Sequence, residues 1–286
     1  MAGSPPSRRA KGGGPVIHSA KTRHYTLWCL AARTTAFCAL LFYALAAPDQ
    51  FLTDLHWPLR CSPLTVVWGL LMVSMVIRLF PSRVESLGCQ KVFARRHCPT
   101  GKAPEVSSIH HANRGAALVA LVWVCSNALV FFCYAQGWLG LRFLVCLAGF
   151  YGVCDIVCIL FFCPFQTFWM HNRCCTTCRI YDWDYLMLCT PLLAVGGPLA
   201  ISACALAAVL FVRWEVVHAR HPERFYEESN QALRCSACQE QLCRYKRRLA
   251  AAAGGKHSQT TPQAAAAAGQ CPPSHTESGQ KTPHRQ

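Results

Sequence analysis

Charge is what this sequence has least of: Asp, Glu, Lys and Arg make up 14% of its 286 residues, where soluble chains carry about 25%. That scarcity excludes an ordinary soluble enzyme or binding domain. Acids are rarer still, 13 against 28 Lys and Arg, for a net charge of +15. A nucleic-acid reader would need its basic residues on a foldable soluble domain, and none is visible, so nucleic acid is not an expected partner. The chain also lacks a glycine-rich phosphate loop, a nucleophile elbow and a zinc-protease helix motif. No 20–50-residue repeat is present.

What is abundant is apolar sequence, 53% of the chain. Spanning about 30 Å of hydrocarbon takes roughly 20 apolar residues. Five blocks meet or approach that length: 27–47, 64–80, 115–135, 139–162 and 185–212. The second is short and ends in Arg78, which can snorkel to the interface. Only Gln136-Gly137-Trp138 separates the third from the fourth, which predicts a tight antiparallel hairpin. The first block ends without a clear cleavage motif and reads as a retained span, not a signal peptide. The expected fold is therefore an all-α membrane protein, a bundle of four to five transmembrane helices.

Lys and Arg counts set the expected orientation. Residues 1–26 hold five, 78–114 seven and 213–248 eight, whereas 48–63 and 136–142 hold one each. Retention of basic loops in the cytoplasm puts both tails and the middle loop inside, in the plasma membrane against anionic lipid. Both termini inside requires an even number of crossings, and five blocks are odd. The last block is interrupted by Gly196-Gly197-Pro198, a flexible point beside a missing amide donor. Two half-helices that dip in and out would restore the parity; a long, tilted fifth span is the alternative. The expected organisation is a basic disordered cytoplasmic tail over 1–26, a transmembrane domain over 27–212, a basic cysteine-containing juxtamembrane segment over 213–248, and a disordered low-complexity tail over 249–286. Pro222 would open a juxtamembrane helix carrying Glu223, Glu227 and Glu228.

Twenty cysteines fall mainly in two populations. Those inside the blocks read as small apolar residues. A second group clusters at block ends: Cys163, then Cys174, Cys175 and Cys178, and later Cys235, Cys238 and Cys243. The pairs Cys175/Cys178 and Cys235/Cys238 are each Cys-x-x-Cys. Together they would supply four thiolates for a tetrahedral zinc, with Cys174, Cys243, His171 and His221 as spare ligands. An iron–sulfur cluster uses the same ligand type. The separation of the pairs exceeds that of a zinc ribbon. The same residues could instead serve as a thiol–disulfide pair, with a quinone as electron partner.

Asp155 lies near the middle of the fourth block, where a carboxylate costs at least about 2.5–3.5 kcal/mol. It reads as a proton or ion relay, or as a hydrogen bond to a neighbouring helix. Arg33, in the first block, could pair with it or snorkel. Asp182 and Asp184 flank Trp183; they could serve as acid and base, and are rather expected to cap the following helix.

The run Cys163-Pro164-Phe165-Gln166, followed by Asn172-Arg173-Cys174-Cys175-Thr176-Thr177-Cys178-Arg179-Ile180-Tyr181-Asp182-Trp183-Asp184, resembles a family of bacterial integral membrane proteins without an assigned activity. The stretch from His218 to Cys243, with His221-Pro222-Glu223-Arg224-Phe225 and Asn230, is similar to that family's tail. The resemblance implies that the two cysteine groups form one design feature, and implies no substrate or cofactor. Three expectations follow: a scaffold or sensor holding structural zinc at its cytoplasmic face, a membrane thiol–disulfide oxidoreductase, or a transporter using Asp155 and the broken last helix. Membrane lipid is the one partner implied; protein partners and small-molecule substrates are not legible.

Overall fold

The computed structural model describes residues 16–56, 61–82, 85–172 and 174–235. The described chain is an α-helical bundle without strands; Pro99 and Asn230 form one isolated bridge. Its helices are α1 (Val16–Ala46), α2 (Pro48–His56), α3 (Pro63–Arg78), α4 (Leu87–Gln90), α5 (Val106–Ala135), α6 (Leu141–Leu160), α7 (Asp184–Cys189) and α8 (Gly197–Arg220). A 3-10 turn, Thr190–Ala194, prolongs α7. Four segments are long and apolar enough to cross a membrane: His24–Ala46 within α1, then α5, α6 and α8. Leu70, Leu121, Phe132, Ile201 and Val209 leave large apolar side chains on the outside of the bundle, which suits a surface solvated by acyl chains and not by water. This is a multi-pass membrane protein.

Local chemistry explains the boundaries. Ser62 caps α3 by accepting from the Thr65 amide at 3.3 Å, and Pro63 occupies the first turn, where its missing donor is harmless. The expected hairpin closes α5: Gly137 takes φ 76°, its amide donates to the Tyr134 carbonyl, and the Trp138 amide donates to Cys133. That pairing is a Schellman turn, which favours glycine at its left-handed position.

Side-chain register gives the topology. Arg33 meets Asp155, Phe37 meets Phe150 and Arg142 meets the Ala44 carbonyl, so α1 and α6 run antiparallel. Trp68 bonds Ser202 and Arg213 bonds the Leu79 carbonyl, so α3 and α8 run parallel. Ser74 meets Tyr185 and Arg78 meets Asp184, so α7 runs against α3. The chain turns back at Gly196 and Gly197, with φ 68° and 77°. A Cβ on Gly197 would lie 3.4 Å from the Leu55 carbonyl, which packs this turn against α2 at the end of the bundle opposite Arg78. The last block is thus a short helix out and a long helix back, and the start of α1 and the end of α8 share one end.

The set of long spans differs from the expected one. The second block forms only the 16-residue α3, while the return arm of the broken block is full length at 24 residues. Helix α8 also continues through Arg220, so the expected boundary at 212 falls inside it. Beyond it, Pro222–Arg224 is a single 3-10 turn and not the start of a helix. Glu228 instead reaches the start of α5, accepting from the Glu105 amide and the Ser108 hydroxyl at 2.7 Å each. The α5 terminus lacks a capping side chain of its own, and Glu228 fills that role from the far end of the chain.

Candidate functional site

Arg78 is the last residue of α3, and it does not snorkel. Its Nη1 donates to Asp182 at 2.8 Å and to both Asp184 oxygens at 2.7 Å. Its Nε is 3.6 Å from Glu85, and its guanidinium stacks 4.5 Å from the Tyr185 ring centroid. Asp182 and Asp184 therefore serve an ion cluster; neither caps α7, whose start has no side-chain cap. The cluster is deeply buried, with Arg78 11% exposed and each of its three carboxylates under 9%. Burial pushes Asp182 and Glu85 above the usual carboxylate range, against the opposing pull of Arg78.

Arg33 stands on the other side of Tyr185, 5.9 Å from its centroid. Its Nη1 donates to Asp155 at 2.7 Å and to the Gly152 carbonyl at 3.0 Å. Gly152 lets the chains approach: a Cβ there would sit 2.9 Å from Leu188 Cδ1. Two guanidiniums thus face four carboxylates across one tyrosine, an excess of two negative charges when all are ionised.

These groups form the polar end of a cavity of about 350 Å³ inside the bundle, within the size range of small-molecule sites. Arg33, Arg78, Glu85, Tyr25, Tyr181 and Tyr185 line that end, and Phe37, Leu40, Leu64, Trp68, Leu71 and Leu199 line the remainder. Helix α1 packs along α6 and only lightly against α3. Residues of both α1 and α3 line the cavity, so the α1–α3 seam borders it.

A second, smaller cavity of about 130 Å³ lies across α6. Ile159, Tyr181 and Leu188 line both cavities, while Arg33 faces the first and Asp155 the second. The ion pair is part of the partition. Cys154, Cys158, Cys163, Cys175 and Cys178 all line this second space. The thiols of Cys158 and Cys163 hydrogen-bond each other, and Cys175 donates to Gln166 Oε1 at 3.0 Å. Burial raises the Cys178 thiol above its ordinary pKa, which favours the thiol over the reactive thiolate.

Of the expected metal ligands, Cys175 and Cys178 face this cavity, and Cys174 contacts the Thr176 hydroxyl at 3.1 Å. His171 ends the preceding π-helical turn at φ 48°, and His221 pairs with Glu223 at 3.1 Å. Cys235 is exposed, and Cys238 and Cys243 lie outside the described residues. Among the described residues no three His, Cys, Asp or Glu side chains cluster closely enough to hold a metal.

A layer of loops joins the two cysteine-bearing regions at this end of the bundle. Lys91 is fully buried, with Nζ donating to the Thr176 and Cys178 carbonyls at 3.0 and 2.9 Å, beside the Trp214 and Phe225 rings. Burial lowers its pKa to about 8. Arg179 grips Glu215 through both terminal nitrogens, at 2.8 and 2.5 Å, and Trp183 bonds the same carboxylate. Cys98 is disulfide-bonded, its amide donates to Asn230 Oδ1, and its carbonyl receives the Gln231 amide. Sequence reasoning missed Lys91 and Cys98. The basic loop 78–114 contains both, and its only legible signal was net charge. No protein-family model, curated protein or solved structure matches this chain, so its own geometry carries the functional reading.

Proposed function

We propose that the chain is a membrane-embedded binding protein of the carrier class, taking up an amphiphile from the bilayer. The observation that supports this is the cavity of about 350 Å³, charged at one end and apolar over the rest. Buried ionisable groups inside a membrane bundle are costly and commonly mark ligand or ion pathways. The lightly packed α1–α3 seam offers lateral access. The basic loops favour the cytoplasmic side of the plasma membrane for the charged end and for both tails. The test is lipid extraction from detergent-purified protein followed by mass spectrometry, on wild type and Leu71→Trp. The expected result is about one retained amphiphile per chain, depleted in the variant. Equal recovery from both proteins would sink the proposal.

A second reading, thiol–disulfide exchange, draws on the five cysteines around the smaller cavity. Alkylation counts before and after mild oxidation test it, beside metal content of anaerobically purified protein. Two thiols lost reversibly per chain would support exchange; a stoichiometric metal removed by Cys175→Ser would favour the zinc or iron–sulfur alternative.

A further inference from the structure

Proposed uptake of an amphiphile leaves open the chemistry of its polar end, and the donors and acceptors at the charged end of the cavity bear on it. Arg33 commits Nη1 to Asp155 and Gly152, and among the described residues its Nε and Nη2 meet no acceptor. Arg78 commits Nη1 to Asp182 and Asp184, and its Nε is buried without a hydrogen-bond partner. Both side chains line the cavity. The neighbouring polar groups already have partners: Glu85 Oε2 receives Gln90, Glu85 Oε1 stands 3.6 Å from Arg78 Nε, the Tyr181 and Ser86 hydroxyls bond each other, and the Tyr185 hydroxyl donates to Ser74. Hydrogen-bond donors are therefore in surplus where the ligand's head would lie.

Surplus guanidinium donors usually suggest an anion. Here the two positive charges already face four carboxylates, so a phosphate or carboxylate head would enter a region without net positive charge and be repelled by it. A cationic head would meet guanidinium N–H groups in place of free acceptors. What satisfies unpartnered N–H groups without adding charge is a neutral oxygen acceptor. We infer that the cavity takes an uncharged lipid whose polar end is a carbonyl, with Arg33 and Arg78 donating to it and its chain lying along Phe37, Leu40, Trp68 and Leu71. Acyl esters and isoprenoid quinones share this chemistry. The inference rests on the amphiphile reading and adds the identity of the head.

The experiment uses the full chain in nanodiscs and displacement of a fluorescent fatty-ester probe. Competitors with matched alkyl chains are a methyl ester, a decyl-substituted benzoquinone, a carboxylate and an alkylamine. One of the two carbonyl probes is expected to compete at least about tenfold more tightly than either ionised probe, and the tighter of the two names the source. Arg33→Lys keeps the charge opposite Asp155 but removes the spare guanidinium donors; it is expected to bring all four competitors within about threefold of one another. A carboxylate or amine that competes best, or a carbonyl preference unchanged in Arg33→Lys, overturns the inference. Failure of every competitor, with probe binding insensitive to Leu71→Trp, overturns the amphiphile reading itself.

Discussion

Arg179 and Arg78 anchor the two buried ionic regions at one end of this bundle, and they are finished differently. Arg179 meets one carboxylate, bidentately, and its Nε is taken by Asn113 at 3.2 Å. Charge and hydrogen bonds both close. Arg78 meets two carboxylates with one terminal nitrogen, and its Nε stands 3.6 Å from the third, Glu85, beyond hydrogen-bond reach. The first arrangement is what a structural ion pair requires, since a buried charge is tolerable only when fully partnered. The second is incomplete as structure, and it borders the cavity. Saturation separates a brace from a site.

Substitutions test that contrast. The largest effect is expected from Glu215→Gln, which removes the one carboxylate that Arg179 meets among the described residues. Breaking such a pair costs about 3–5 kcal/mol, read as a large fall in melting temperature or loss of folded protein on size exclusion. A variant as stable as wild type would show that the Arg179 region is not a brace.

Lys91 comes next. Its folded pKa of about 8 lies below the ordinary 10.5, so the unfolded chain binds more protons between those values and stability rises with pH across that window. Wild type is therefore expected to gain on Lys91→Met as pH rises from 8 to 10.5, by up to about 3 kcal/mol. A flat difference in melting temperature would refute the buried amine.

In the Arg78 cluster, Asp182→Asn is expected to change stability by less than about 1 kcal/mol, because Asp184 and Glu85 still neutralise the arginine. A loss as large as that of Glu215→Gln would erase the distinction between the two regions. The smallest effect belongs to Glu228→Gln, about 0.5 kcal/mol at neutral pH. Hydrogen bonds from Glu105 and Ser108 hold the Glu228 carboxyl below its usual range. Its contribution is therefore present above the unfolded value of about 4.5 and lost as pH falls through the folded one. Hydrogen exchange at the first turn of α5 reads this directly.

The helices were legible because hydropathy and glycine chemistry are local. The short link Gln136-Gly137-Trp138 marked the hairpin, and Gly196-Gly197-Pro198 marked a break that could be a reversal or a kink, each from a few adjacent residues. The charged site was not legible. Arg78 and Asp184 are 106 residues apart, and nothing local distinguishes an arginine that snorkels from one that turns inward to a carboxylate. Asp155 was conspicuous by its depth, yet the choice of Arg33 as partner depended on the α1–α6 register. The cysteines drew attention by spacing, which says nothing about which cavity they face. Lys91 was hidden among other basic residues of a loop whose folding over the bundle end has no periodic signature.

The brevity of α3 has a consequence for the bilayer. Its 16 residues rise about 24 Å, some 6 Å short of a typical ~30 Å hydrocarbon core. The neighbouring outward arm, Asp184–Ala194, is shorter still, while α1, α5 and α8 have length to spare. Hydrophobic mismatch would then be concentrated on the flank beside the α1–α3 seam, where lipid would thin to meet it. Acyl-chain length would in that case bear on the proposed ligand access, with short-chain bilayers relaxing the dimple and long-chain bilayers deepening it.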